Sequence, residues 1–144
     1  MSESGERALG GARQRRMRLK QALSGVEIAL AGASAAEAWR DHLGAALDDL
    51  LAAFDEHVDE VEGSDGLLAD VVTKAPRLAT RVQRLGDEHP PLRAQIDAAR
   101  TKVAAGDVEE VRAETLDALV ALAKHRQTGA DLVYDAYNID IGGE

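Results

Sequence analysis

The chain has 144 residues, a formal net charge of −9 and no cysteine. Its length predicts one domain that can bury a core without covalent staples. The missing thiols exclude a disulfide framework, thiolate metal ligands and cysteine catalysis. The acidic balance argues against nucleic-acid binding, and no apolar run reaches the roughly 20 residues that a membrane span needs.

The N-terminal part predicts a disordered start followed by an amphipathic helix. Residues 1–8 have few apolar side chains to bury, so we expect them to be disordered. The N-terminus has no basic region followed by an apolar run, the pattern of a secretory signal, so we expect a cytoplasmic protein. The helix runs from Leu9 or Ala12 to about Ala31, with apolar side chains at steps of three and four. These are Leu19, Leu23, Val26 and Leu30. A basic face, either solvated or a docking patch for an acidic partner, consists of Arg13, Arg15, Arg16, Arg18 and Lys20.

A second helix is predicted from about Ala35 to Glu62. Ser34 and Glu37 have the spacing of a capping box at its start, and Gly63 ends it. Its apolar seam consists of Trp39, Leu43, Ala46, Leu47, Leu50, Phe54, His57 and Val61. The short apolar piece from Leu67 to Val72 is expected to form a helical turn or two under the end of the bundle.

A third helix is predicted to begin at Pro76, because proline suits the first helical position. Its seam alternates steps of four and three, as in a helical bundle: Leu78, Val82, Leu85, His89, Leu92, Ile96, Ala99 and Val103. Pro90 and Pro91 lack an N–H and interrupt the helical hydrogen bonds. The helix either kinks there or stops near Gly86 and restarts, and the continuous seam favours a kink.

Gly106 is expected to end the third helix, and Asp107 with Glu110 forms a second capping box that opens a last helix to about Asn138. Short connections favour antiparallel neighbours, so residues 9–140 predict an all-α, up-down-up-down four-helix bundle. Residues 141–144 form a tail.

Histidines stand on the apolar seams where a bundle would normally have leucine. His57 and His89 are seam residues, and His125 lies at about the height of His89 when residues are counted from the shared turn. Histidines that face a bundle interior build metal sites. The candidate ligands are His57, His89, His125, Glu60 and Asp131, with His42 and Glu88 less favoured. No Glu-x-x-His pair accompanies them, so the alternative is core histidines hydrogen-bonded to carboxylates or carbonyls.

The chain resembles the hemerythrin-like (HHE cation-binding) domains. The resemblance rests on the four-helix pattern, on His57 near the end of the second helix, on the Leu85-Gly-Asp-Glu-His89 segment and on the last helix after His125. The segment that follows His125 looks like a bacterial subgroup. The resemblance covers the chain from the second helix onward. It implies a non-haem di-iron centre that binds or senses oxygen, or otherwise handles iron.

By position, the resemblance implies ligands at His42, His57, His89 and His125, but the other ligand positions are altered. Val61 stands where the family has a bridging Glu, Arg93 where it has a second His, and Gly129 and Ala130 where it has a carboxylate. We therefore expect no full di-iron centre, and at most one weaker site for iron or zinc.

Arg93 suggests what could replace a metal. It lies one helical turn after His89, on nearly the same face. Its guanidinium could supply positive charge to Glu60, Glu88 or Asp131, or it could extend into solvent.

Three functions remain open at this stage. We favour a degenerate hemerythrin-like bundle with weak or mononuclear metal binding and no enzymatic activity, because no nucleophile motif or phosphate loop is present. One alternative is a metal-free interaction or structural module that meets a protein partner or a second copy through the basic first helix or the Tyr134/Tyr137 end. The other is an intact non-haem iron protein that binds or senses oxygen.

Overall fold

The computed structural model describes the backbone of residues 3–63 and 66–139, and the side chains from Gln14 onward except those of residues 15, 16, 138 and 139. This part of the chain is mainly helical and contains no strand, which confirms the all-α class. The elements are α1 (Glu3–Ala31), α2 (Trp39–Glu62), α3 (Leu67–Lys74), a 3₁₀ turn (Pro76–Leu78), α4 (Ala79–Asp87), α5 (His89–Val103), α6 (Val108–Tyr134) and a π-helical turn (Asp135–Ile139).

The first helix begins earlier than the sequence predicts. α1 starts at Glu3, so the start at Leu9 or Ala12 is wrong, and residues 3–8 are helical rather than disordered. This segment holds helix-favouring Glu, Arg and Ala and no proline, so helix propensity allows the helix to extend through it. Residues 1–2 and the predicted tail at 141–144 lie outside the described residues. The seam of α1 is buried as predicted, at Leu19, Leu23, Val26 and Leu30.

The predicted capping box at Ser34 does not start the second helix. α2 begins at Trp39, and its N-cap, Ala38, makes no side-chain cap bond. Backbone carbonyls satisfy the N–H groups of two preceding turns instead: Ala36 N–H donates to Ala33 O at 3.0 Å, and Trp39 N–H donates to Ala36 O at 3.1 Å. In the second predicted capping box the Asp107 cap is confirmed, because Glu109 N–H donates to the Asp107 carboxylate at 3.2 Å, while Glu110 pairs with Lys102 at 3.4 Å.

The third predicted helix is interrupted by one residue. α4 ends at Asp87 and α5 begins at His89, while Glu88 between them keeps right-handed helical backbone angles (φ −74, ψ −19). Its N–H donates to Leu85 O at 3.1 Å. Pro90 therefore stands in the first turn of α5, where an N–H has no helical acceptor and a proline costs no helical bond.

Four long helices pack together, with α1 on α2, α2 on α5 and α5 on α6. α2 and α5 run in opposite directions. Arg40, at the start of α2, donates to the carbonyl of Val103, at the end of α5, at 2.7 Å, and Glu62, at the end of α2, meets His89, at the start of α5. None of the described helices combines the length and apolar character needed to cross a bilayer. The full up-down-up-down, hemerythrin-like arrangement stays a prediction.

The buried apolar side chains form two clusters, and the histidines lie between them. The larger cluster fills the bundle around Leu43, Leu47 and Ile96. The smaller one joins α3 and α4 to the end of α6. Along each chain segment a histidine falls between a residue of the large cluster and one of the small cluster: Phe54, His57, Val61; Leu92, His89, Leu85; and Leu122, His125, Leu132.

Candidate metal centre

Three histidines from three helices converge between the two clusters. His57 comes from α2, His89 from α5 and His125 from α6, and one potential ligand atom of each lies within 4.8 Å of the others. His89 and His125 are each only 3% exposed, and His57 is half-buried. The ring centroids of His89 and His125 are 4.8 Å apart. The convergence predicted for the three seam histidines is therefore present.

Phe54 packs against all three imidazole rings. Its own ring is fully buried. Its centroid lies 6.1 Å from that of His57, 5.8 Å from that of His89 and 6.3 Å from that of His125. Because α2 also carries His57 one turn later, Phe54 holds the layer from the side of the large cluster.

Two carboxylates orient two of the histidines. Glu62, the last residue of α2, is hydrogen-bonded to His89 Nδ1, and Glu88 is hydrogen-bonded to His125 Nδ1 at 2.7 Å. An ionised carboxylate only accepts hydrogen bonds, so in both histidines Nδ1 carries the proton and donates. This tautomer leaves the Nε2 lone pair of each ring available, as in the carboxylate–histidine pairs of metal sites.

The free nitrogen of His89 is buried and has no partner. His89 Nε2 makes no hydrogen bond to any described residue, and leaving a buried polar atom unsatisfied costs about 1–3 kcal/mol. His125 is also set up to stay neutral. Burial lowers the pKa of His125, the hydrogen bond to Glu88 opposes this, and the nearby His89 adds to the lowering. A neutral imidazole is the form that binds a metal ion.

A cavity of about 400 Å³ lies against the three histidines. Its wall is mainly apolar, with Val61, Leu67, Leu68, Leu85 and Val133 among the lining residues. Leu19 of α1 faces it from one side, and α6 contributes Arg126, Gln127 and Gly129. The histidine layer therefore lines a mainly apolar cavity.

The other predicted ligands do not join the group. Among the described residues, the cluster that could hold a metal contains the three histidines alone. Asp131 is exposed and accepts a hydrogen bond from Gln127 at 2.9 Å. Glu60 is half-buried and His42 is exposed near the start of α2. Glu88 is not a member of the group and instead accepts a hydrogen bond from His125 Nδ1.

Arg93 does not take the place of a metal. Its guanidinium donates to Asp55 at 2.9 Å, and the side chain is 51% exposed. The pairing proposed from the sequence with Glu60, Glu88 or Asp131 is therefore wrong. Arg93 lies on the face of α5 that meets Asp55 of α2 near the surface, and Asp55 raises the pKa of Arg93.

From the sequence, Glu62 is one of three carboxylates, with Glu60 and Asp131, that could compensate for the altered ligand positions, but its pairing with His89 is not predicted. It lies outside the three- and four-residue spacings that place two ligands on one helix face. Only the antiparallel packing of α2 and α5 brings it to His89.

The arrangement suits one divalent transition-metal ion better than two. Three neutral imidazole nitrogens match a tetrahedral zinc site with its fourth position open. Zn–N bonds of about 2.0–2.1 Å place the nitrogens roughly 3.3 Å apart, so small side-chain rotations would close the present spacing. Val61, which stands where the resemblance implies a bridging Glu, is buried in the smaller apolar cluster and offers no ligand atom. Comparison with known proteins found no family model, no curated protein and no solved structure that matches this chain.

Proposed function

We propose that this protein binds a single divalent transition-metal ion, with zinc the best fit, through His57, His89 and His125. One observation carries the proposal: potential ligand atoms from the three histidines lie within 4.8 Å of one another. The carboxylates on His89 and His125 support it, because they present Nε2 rather than Nδ1 to an ion.

The competing interpretation, a set of core histidines satisfied by carboxylates, explains only half of the arrangement. It accounts for the Nδ1 atoms of His89 and His125. It leaves His89 Nε2 buried without a hydrogen bond among the described residues. A bound ion would satisfy this nitrogen and would place positive charge beside Glu62 and Glu88.

The resemblance to hemerythrin-like domains fits the same proposal in reduced form. Three of the four histidines that the resemblance implies as ligands are His57, His89 and His125, whereas His42 is exposed. We therefore propose a hemerythrin-like bundle that has one mononuclear site where the family has a di-iron centre. The ion would act as a Lewis acid or as a binding point for an anion.

Metal content and calorimetry test the proposal. Protein purified without a metal-binding affinity tag is stripped with a chelator and titrated with Zn²⁺ and Co²⁺. We expect one ion per chain, and a Co²⁺ absorption spectrum typical of tetrahedral coordination. His89→Ala and His125→Ala should lose the ion, and the exposed His42→Ala is the matched control. Failure of the wild type to bind, or equal loss in His42→Ala, contradicts the proposal.

Exposed apolar residues on α6 favour a second candidate function, an interaction surface. Leu116 and Val120 are 51% and 67% exposed and share one helix face at a spacing of four residues. A second copy of this chain could cover them. Light scattering would show a dimer that Leu116→Ser and Val120→Ser together convert to a monomer; a monomeric wild type removes this candidate.

A further inference from the structure

We infer that the cavity beside the three histidines binds a monocarboxylate with an apolar body, with the carboxylate group at the open position of the bound ion. This inference rests on the proposed function and names the class of ligand for the same site. Three features of the cavity carry it: its walls, an unpaired arginine and the balance of charge.

The walls select an apolar body. The cavity has a volume of about 400 Å³, within the range of small-molecule sites, which are mostly apolar with a few polar groups that fix orientation. Leu67, Leu68, Leu85 and Val133 supply apolar surface. A water molecule or a small inorganic anion on the ion would leave this surface unused, whereas a short acyl chain would cover it.

Arg126 supplies a cation for the carboxylate. It follows His125 on α6, lines the same cavity and is half-buried. Within the part of the chain that the structure describes, it makes no ion pair and no hydrogen bond. Several other arginines pair with acidic side chains, as Arg81 does with Asp135 and Arg100 with Asp97. A guanidinium can form two parallel hydrogen bonds with a carboxylate.

The net charge around the ion favours a ligand with one negative charge. Three neutral imidazoles leave the ion with two positive charges, and Glu62 and Glu88 offset these through His89 and His125. Arg126 adds one positive charge that no described residue neutralises. Because unbalanced charge in a cavity of low polarity is costly, a monoanion fits better than a neutral molecule, a cation or a dianion.

Titration of the Co²⁺-loaded protein with octanoate, acetate and octanol tests the inference. Octanoate should change the Co²⁺ absorption and should bind more tightly than acetate, by about fourfold for each methylene buried. Octanol, which has the chain without the charge, should leave the spectrum unchanged. An equal response to acetate and octanoate would mean that the site takes small anions only, and would overturn the inference.

Two variants separate the cavity from the ion. Arg126→Gln should weaken octanoate binding about tenfold or more with Co²⁺ content unchanged, and Arg84→Gln, an exposed arginine outside the cavity, is the matched control. In Gly129→Leu, the new Cβ would lie 3.6 Å from Leu85 Cδ2, so the side chain should occupy cavity space, weaken octanoate binding and spare acetate.

The outcomes distinguish this inference from the proposed function. If Co²⁺ binds and Arg126→Gln retains full octanoate affinity, the ligand assignment is wrong and the metal site stands. If no Co²⁺ spectrum forms, the metal site itself is wrong and the ligand assignment fails with it.

Discussion

His125 donates its Nδ1 hydrogen to Glu88 at 2.7 Å, across 37 positions of the chain, and Glu88 is the residue that interrupts the helix between α4 and α5. Adjacent residues of a regular helix point about 100° apart. At this interruption His89 faces the interior, while Glu88 reaches α6 with a side chain that is 47% exposed. The residue at the helix interruption therefore also supplies the carboxylate that orients His125.

Removing the carboxylate on His125 should weaken metal binding without removing a ligand. Loss of an outer carboxylate typically reduces metal affinity about 10–100-fold. We expect Glu88→Ala and Glu62→Ala to fall in this range, and Glu88→Gln, which keeps an acceptor but loses the charge, to lose less. Competition with a chromophoric chelator measures the affinities. Asp87→Asn, at an exposed neighbouring carboxylate, should bind as the wild type does; an equal loss there would show a nonspecific charge effect.

Metal binding should stabilise the folded chain. An ion at a free concentration one hundred times its dissociation constant adds about 2.7 kcal/mol to the free energy of unfolding, if it binds only the folded state. Urea unfolding with and without Zn²⁺ should show this difference in the wild type and in His42→Ala. It should vanish in His125→Ala, and persistence there would place the ion elsewhere.

Phe54 should contribute both to stability and to the metal site. Replacing a buried Phe with Ala costs about 3–5 kcal/mol, and Phe54→Leu should cost less while still loosening the three imidazoles that the ring contacts. We expect Phe54→Leu to lower Zn²⁺ affinity. The fully buried Leu47 gives the control: Leu47→Ala should destabilise the fold by about 2–5 kcal/mol and leave the Zn²⁺ affinity of the folded protein unchanged.

Alkaline pH should weaken the end of the bundle through Tyr137. Its hydroxyl donates to the Asp70 carboxylate, and burial together with this bond raises its pKa above the ordinary 10.0. Because the folded state favours the protonated phenol, its contribution to stability is complete below pH 10 and falls as the pH rises further. The chain has two tyrosines, so Tyr134→Phe leaves Tyr137 as the one absorbing phenol. The tyrosinate absorbance of Tyr137 should appear well above pH 10, and at a higher pH than in the Asp70→Asn variant.

Periodic burial could be predicted from the sequence, and partners across helices could not. His57 and His89 can be predicted because each replaces an apolar residue in a repeating seam, and His125 because its distance from the shared turn matches that of His89. Glu62 and Arg93 show the limit. Their partners, His89 and Asp55, lie on another helix, so the pairing depends on helix rotation and offset, which intervals within one helix do not determine.

Helix ends show a similar division. Gly63 and Asp107 stop or cap helices as predicted because the preference is local to the residue. Ser34 does not cap α2, because the helix begins only at Trp39 and the carbonyl of Ala33 accepts the Ala36 N–H. A capping sequence shows which side chain can accept the free N–H groups at a helix start. Whether that side chain does so depends on where the preceding turns let the helix begin.

The apolar clusters on both sides of the histidine layer should affect how fast the proposed site exchanges its ion. Apolar packing on both sides positions His57, His89 and His125, so we expect capture of an ion to require side-chain rotation rather than folding. We likewise expect release of the ion without separation of the helices, through the cavity next to the histidine layer. The rate at which a chelator removes the ion should therefore depend on how readily small molecules pass through this cavity. A urea concentration below the unfolding transition should leave that rate unchanged.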